Sequence, residues 1–198
     1  MMVMKSWLIV IFVMLSEIAV TAHATEEPAW TLLDTQGDIE LRHYAPVVQA
    51  RTPTPDGVTS SGGFRTLAGY IFGGNASKQE IAMTAPVERT LAENDNYMAF
   101  TMPEQHSRDS LPEPDDRSVT LHQVPARTVA VIKFSGWARD QVVQEKVQDL
   151  LATLAAHGIE PQSQPLLAQY NPPWTPPWKR RNEVMVAIPE QTGSFQQP

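Results

Sequence analysis

The spacing of apolar and polar positions lays out most of the chain before any composition is considered. Residues 37–44, GDIELRHY, alternate with period two, so Ile39, Leu41 and His43 share one face of a strand and Glu40, Arg42 and Tyr44 the other. Pro46 marks a turn, and residues 47–51 read as the returning strand. Residues 52–63 carry two prolines and three glycines and form a loop. The period then changes. Phe64, Leu67, Ala68 and Ile71 fall at i, i+3, i+4 and i+7, one face of an amphipathic helix. Ser60 and Ser61 can cap its start, and Gly73, Gly74 and Asn75 supply residues that end helices. A strand is expected over 81–89, with Ile81, Met83 and Ala85 on one face up to a break at Pro86. A turn at 93–96 leads to a strand over 97–102, where Met98, Phe100 and Met102 share a face. Residues 25–35 read as a polar lead-in, with Trp30, Leu32 and Leu33 packing on the domain.

Residues 103–117, polar and with three prolines, read as a connector, and beyond them the same order of elements returns. Strands are expected over 118–124 and 127–134, separated by a turn at Pro125. A helix over about 138–156 follows, with the stripe Val143, Val147, Leu150, Leu151 and Leu154 and a stop at Gly158. Residues 166–170 and 183–188 supply the last strands, around the loop NPPWTPPWKRR at 171–181. The pattern predicts an α+β fold: a distorted antiparallel β-barrel or sheet of two pseudo-symmetric ββαββ halves with two packed helices.

The first two dozen residues stand apart. Lys5 opens a basic segment, residues 7–15 are apolar, and Ala22-His23-Ala24 fits a small-x-small cleavage site. Residues 1–24 therefore read as a signal peptide cut after Ala24, leaving 25–198 as a single domain in a periplasmic or secreted protein. The rival, an uncleaved anchor, has only residues 7–20 to span with, interrupted by Ser16 and Glu17, against a need of roughly 20. No stable membrane insertion is expected after cleavage. The formal charge of −7 argues against a nucleic-acid partner, which calls for clustered Lys and Arg. The absence of cysteine excludes disulfides, thiolate ligands, a cysteine nucleophile and covalent c-type haem attachment.

Motifs for catalysis are lacking. The chain has no His-Glu-x-x-His, no Gly-x-Ser-x-Gly, no phosphate-binding glycine loop and no dinucleotide fingerprint. Its carboxylates sit in loops and on polar faces, so a non-enzyme is expected. Of the five histidines, His43 alone shares a face with apolar neighbours. Its two readings are a hydrogen-bonded core residue and a ligand for haem iron. Met83, Met98, Met102 and Met185 fall in strands and read as adaptable core. Trp174 and Trp178 read as part of a rigid loop sealing the barrel end, with a flap or a peptide-binding surface as alternatives.

Four blocks then complete a picture that no single one carries. RHY at 42–44, GFRTLAGYIFGGN at 63–75, IAMTAPV at 81–87 and RRNEV at 180–184 together resemble the SOUL haem-binding protein family. The resemblance covers nearly the whole chain after the leader and implies the same two-halved, distorted barrel. It further implies non-covalent binding of haem or another porphyrin in an apolar cleft beside the first helix. On that reading Phe64, Leu67 and Ile71 contact the porphyrin face, Arg65 pairs with a propionate, and His43 is the candidate axial ligand. A different class of reading, a general small amphipathic-ligand or interaction module without physiological haem binding, stays open. The oligomeric state is not readable from the chain.

Overall fold

A computed structural model of the chain describes residues 25–54, 61–92 and 96–195. The expected leader, the Ser60 cap and most of the 93–96 turn lie outside those residues. Among the described residues nine strands form one antiparallel sheet: β1 (Trp30–Gln36), β2 (Ile39–Tyr44), β3 (Val47–Pro53), β4 (Val87–Thr90), β5 (Tyr97–Thr101), β6 (Thr120–Val124), β7 (Arg127–Phe134), β8 (Leu166–Gln169) and β9 (Asn182–Ile188). Two helices, α1 (Ser61–Ile71) and α2 (Asp140–Ala156), follow β3 and β7. The ββαββ order therefore occurs twice, with β1 added in front.

The sheet runs β1-β2-β7-β9-β8-β4-β5-β3-β6 and curls into a half-barrel. From β2 to β6 the order reads as a pseudo-twofold. Each half contributes a second, third and fourth strand as a unit, and the units meet at β4 and β8. The first strand of each half crosses over: β2 pairs with β7 and β6 pairs with β3. Pro46 and Pro125 therefore do not close hairpins. Each bends the chain from one half of the sheet to the other, as a residue without an N–H to donate permits.

Two local expectations are corrected. The lead-in contains β1, paired with β2 from Trp30 opposite Tyr44 to Gln36 opposite Ile39. Residues 81–86 are not a strand; they run irregularly to the cis Ala85–Pro86 peptide, and β4 begins only at Val87. That irregular stretch satisfies its polar groups piecemeal: Ile81 N–H donates to Ile71 O at 2.8 Å and Thr84 Oγ1 to Thr101 O at 2.5 Å.

Both helices lie on the outer face. Leu67, Tyr70 and Ile71 of α1 pack with Val48, Ala50, Met98, Phe100 and Met102, while the α2 stripe packs with Ile39, Leu41, Ala130, Ile132, Val184 and Val186. α1 ends where the glycines predict, with Gly73 at φ +95°. The buried Asn75 locks that end, its Nδ2 donating to Tyr70 O and Gln79 O at 3.0 and 2.8 Å and its Oδ1 accepting from Gln79 N–H at 3.0 Å. The expected connector is folded onto α1, where Tyr70 Oη donates to Pro112 O at 3.0 Å. Among the described residues no helix is long and apolar enough to cross a membrane.

Candidate functional site

The α1 residues singled out in the sequence divide by side. Leu67 and Ile71 face the sheet and are fully buried, so a ligand could reach them only by prising α1 away from β3 and β5. Phe64 and Arg65 are exposed, Phe64 at the edge of the packed side. Phe64 is 44% exposed, its ring edge-on to Phe100 at 5.3 Å, and Phe72, just past the helix, is 67% exposed. Phe72 still follows the helical ladder, its N–H donating to Ala68 O at 3.0 Å. Phe64 and Phe72 are thus two helical steps of four apart, about 12 Å along the axis. Between them the helix surface is formed by Ala68, half-buried, and past Phe72 around the helix lies Gly69, which is exposed and would meet no atom within 4 Å of an added Cβ. Two exposed aromatic residues thus stand either side of Ala68, on a stretch of helix where Arg65 and Gly69 are exposed as well. The sequence search did not single out Phe72 or Gly69, because it followed the buried stripe; the outward register 64, 68, 72 was the available signal.

His43 does share its strand face with Ile39 and Leu41, but it is exposed. α2 covers β7 and β9 beside the first two residues and leaves the end of β2 open. The imidazole Nδ1 lies 3.4 Å from Thr128 Oγ1. Since β2 borders β7 and α1 rests on β3 and β5, His43 and the α1 residues belong to opposite halves of the sheet. The structure does not bring them together. Among the described residues no cluster of three or more His, Asp or Glu is arranged to hold a metal ion.

The inner face of the half-barrel carries a feature that alternation alone concealed. Glu40, Arg42 and Tyr44 point inward, and Arg42 is almost entirely buried. Its Nη1 and Nη2 donate to Glu183 at 3.0 and 3.2 Å, its Nε to Glu40 at 2.8 Å, and Nη1 also to Tyr44 Oη at 2.9 Å. Glu183, fully buried, also accepts from Tyr170 Oη at 2.8 Å and lies 3.2 Å from Arg181. Burial alone would depress the Arg42 pKa, but the Glu183 charge and hydrogen bonds hold it above its ordinary value. Burial first, and then Glu183, raise the Tyr170 hydroxyl, which remains a donor. A polar strand face reads as a solvated one in sequence; here the curl of the sheet encloses it. Arg42, Tyr44, Tyr170 and Glu183 are matched to one another, so the cluster ties β2 to β9 and to the end of β8.

Of the openings among the described residues, two lie on or beside the inner face. One of about 830 Å³ lies where the inner face meets α2, with Leu91, Val129, Leu151 and Leu166 as apolar walls and Arg127 and Tyr97 as polar ones. Another, of about 200 Å³, sits between residues 26–29 and the β2–β3 bend. The first lies in the usual range for small-molecule sites.

A model of the SOUL heme-binding protein family matches residues 25–187. Heme-binding protein 2 of Mus musculus is 30% identical over 149 residues, spanning 68% of this chain and 72% of the relative. Heme-binding protein 2 of Homo sapiens is 29% identical over 180 residues, spanning 83% and 87%. Among solved structures, the EcmrR C-terminal domain is similar with a TM-score of 0.57 at 10% identity, covering 76% of this chain and 96% of that one. A hydrolase from Listeria innocua gives 0.55 at 13%, covering 77% and 92%. At such identities the likeness is one of fold.

Proposed function

The chain belongs to the SOUL heme-binding protein family, and from that premise we propose that it is an exported, non-enzymatic protein that binds haem or a related tetrapyrrole without a covalent bond. The observation that carries the site is the outward face of α1. Phe64 and Phe72 stand either side of Ala68, with Gly69 and Arg65 exposed on the same helix, an arrangement suited to a planar apolar macrocycle with carboxylates at its rim. Leu67 and Ile71 act behind this face, anchoring the helix to the sheet. Bound haem would supply iron and its absorption spectrum; the chain supplies two aromatic contacts and one cation. α1 itself carries no histidine, and the proposed contact rests on the two rings and Arg65. Neither a nucleic-acid partner nor a catalytic step enters the proposal.

Hemin titration of the chain lacking residues 1–24, followed at the Soret band, tests the reading. Phe72→Ala is expected to weaken binding about tenfold, the loss of roughly 1.4 kcal/mol of aromatic contact. His43→Ala should leave affinity and spectrum unchanged. The reverse result, a spectrum altered by His43→Ala and indifferent to Phe72→Ala, would move the porphyrin to β2 and reinstate His43 as the axial ligand. Unsaturable spectra in the parent chain would end the haem reading altogether.

The second reading, a general amphipathic-ligand module, is favoured by the opening of about 830 Å³ with its apolar walls and Arg127. An anionic hydrophobic dye would occupy it. Leu151→Trp would expel the dye while leaving hemin titration untouched; dye binding indifferent to that change would remove this alternative.

A further inference from the structure

The loop NPPWTPPWKRR, expected to seal the barrel end, instead holds its tryptophans in water. Trp174 is 82% exposed and Trp178 76%, and Trp137, on the β7–α2 connection, is 50% exposed. These rings are not on a slack segment. Pro172, Pro173, Pro176 and Pro177 restrict the backbone, Thr175 N–H donates to Pro172 O at 3.0 Å, and a 3₁₀ turn covers Pro177–Lys179. Arg180 fastens the loop internally. Its Nε donates to Thr175 O at 2.8 Å, its Nη2 donates to Pro173 O, and its guanidinium lies 3.8 Å over the Trp137 ring. Gly136 N–H donates to Pro177 O at 2.9 Å and Asn182 Nδ2 to Gly136 O at 3.1 Å, so the two connections form one surface.

The charges around that surface run against the molecule's own. Lys133, Arg139, Lys179, Arg180 and Arg181 are five of the 15 Lys and Arg in a chain of net charge −7. Glu40 pairs with Lys133 and Glu27 with Arg181. Lys179 and Arg139, both exposed, enter no ion pair among those described. Rigidly presented indole rings with cations beside them match one environment well: the interface of an anionic bilayer, where indoles sit at headgroup depth and basic residues are drawn by the negative surface potential. A folded protein gains nothing in water from keeping such rings exposed. Holding them in advance removes the ordering cost of docking.

We propose that Trp174, Trp178 and Trp137, with Lys179 and Arg139, form a docking surface for anionic membranes, holding the domain peripherally on the bilayer. The inference stands on residues separate from the α1 face and does not depend on tetrapyrrole binding.

The lack of cysteine makes a site-specific test straightforward. An environment-sensitive fluorophore on Thr175→Cys of the chain lacking residues 1–24, whose apolar leader would itself enter vesicles, reports the loop, and the same label on Ala76→Cys, beyond α1, is the control. Vesicles of phosphatidylglycerol mixed with phosphatidylcholine are expected to brighten the first label and not the second, with the effect suppressed by salt. Trp174→Ala with Trp178→Ala should abolish the brightening. Lys179→Glu with Arg139→Glu should weaken it about tenfold or more, as removing basic residues from a charged surface requires. Circular dichroism of each variant confirms that the fold survives. Equal response to phosphatidylcholine alone, retention in the double tryptophan variant, or no response to the mixed vesicles would overturn the proposal, the last pointing to a protein partner.

Discussion

Arg42 and Glu183 form the most consequential residue pair in the fold, because both are buried and each is the other's main partner. Replacing such a pair with apolar groups can be neutral, whereas removing one partner leaves an uncompensated charge. Arg42→Ala is therefore expected to cost about 3–5 kcal/mol in urea unfolding. A nearly unchanged midpoint would show that Glu183 finds relief elsewhere. Glu40 extends the cluster toward solvent. Burial pushes its carboxyl up, but Lys133 and Arg42 together outweigh that and hold it below its ordinary value. A carboxylate depressed in the folded state contributes stability above its unfolded pKa, about 4.3 for Glu, and loses it as pH falls through the folded value. Stability should thus decline below about pH 4.5, and Glu40→Gln should flatten that decline in a series of urea titrations. His43 shows the opposite limit of reading residues singly: its strand face was legible, but its exposure depended on which part of that face α2, far along the chain, comes to cover.

The two sides of α1 have separable roles, which substitutions can resolve. Leu67→Ala would open a cavity in a closed core and is expected to cost about 2–5 kcal/mol. Gly69→Leu should do the reverse, stabilising α1 by up to about 1 kcal/mol because nothing occupies the space outside it. The same leucine would crowd Phe72 from the side and weaken hemin binding. Thermal unfolding and hemin titration of the two variants give opposite signs if the inner side holds the helix and the outer side holds the ligand. Equal hemin affinity in Gly69→Leu would exclude that side. Gly63 and Gly74 contrast with Gly69. An added Cβ would approach Thr54 Cγ2 at 2.6 Å from the first and Gly69 O at 2.6 Å from the second. Those glycines set how closely α1 approaches β5 and how tightly its end turns.

On the scale of the whole molecule, two units are stitched by exchanging their first strands, so β2 depends on β7 and β6 on β3. β1 then lies outside β2 and covers Arg42 with Trp30, whose ring sits 4.2 Å from the guanidinium. The lead-in is thus part of the fold from Glu26 onward, since Glu26 bridges Thr84 and Glu27 pairs with Arg181. Export, proposed from the pattern of residues 1–24, predicts a mature chain beginning at Thr25, a few residues before that strand. The mass of the protein recovered from its native compartment checks this, and an intact residue 1 would contradict cleavage.

Local chemistry alone determined the element order from β2 onward, the repeated halves, the two helix stops and the family blocks, because periodicity, glycine and proline act within a few residues. Long-range pairing decided the rest. Crossing strands from one half to the other enclosed the Glu40–Arg42–Tyr44 face, which its composition marked as solvated. Packing against β3 and β5 decided which side of α1 could meet a ligand. The 171–181 loop, bound to the β7–α2 connection, turned a predicted seal into an exposed aromatic and basic surface. In each case the residue type was plain in the chain, and its surroundings were set by partners that only folding brings near.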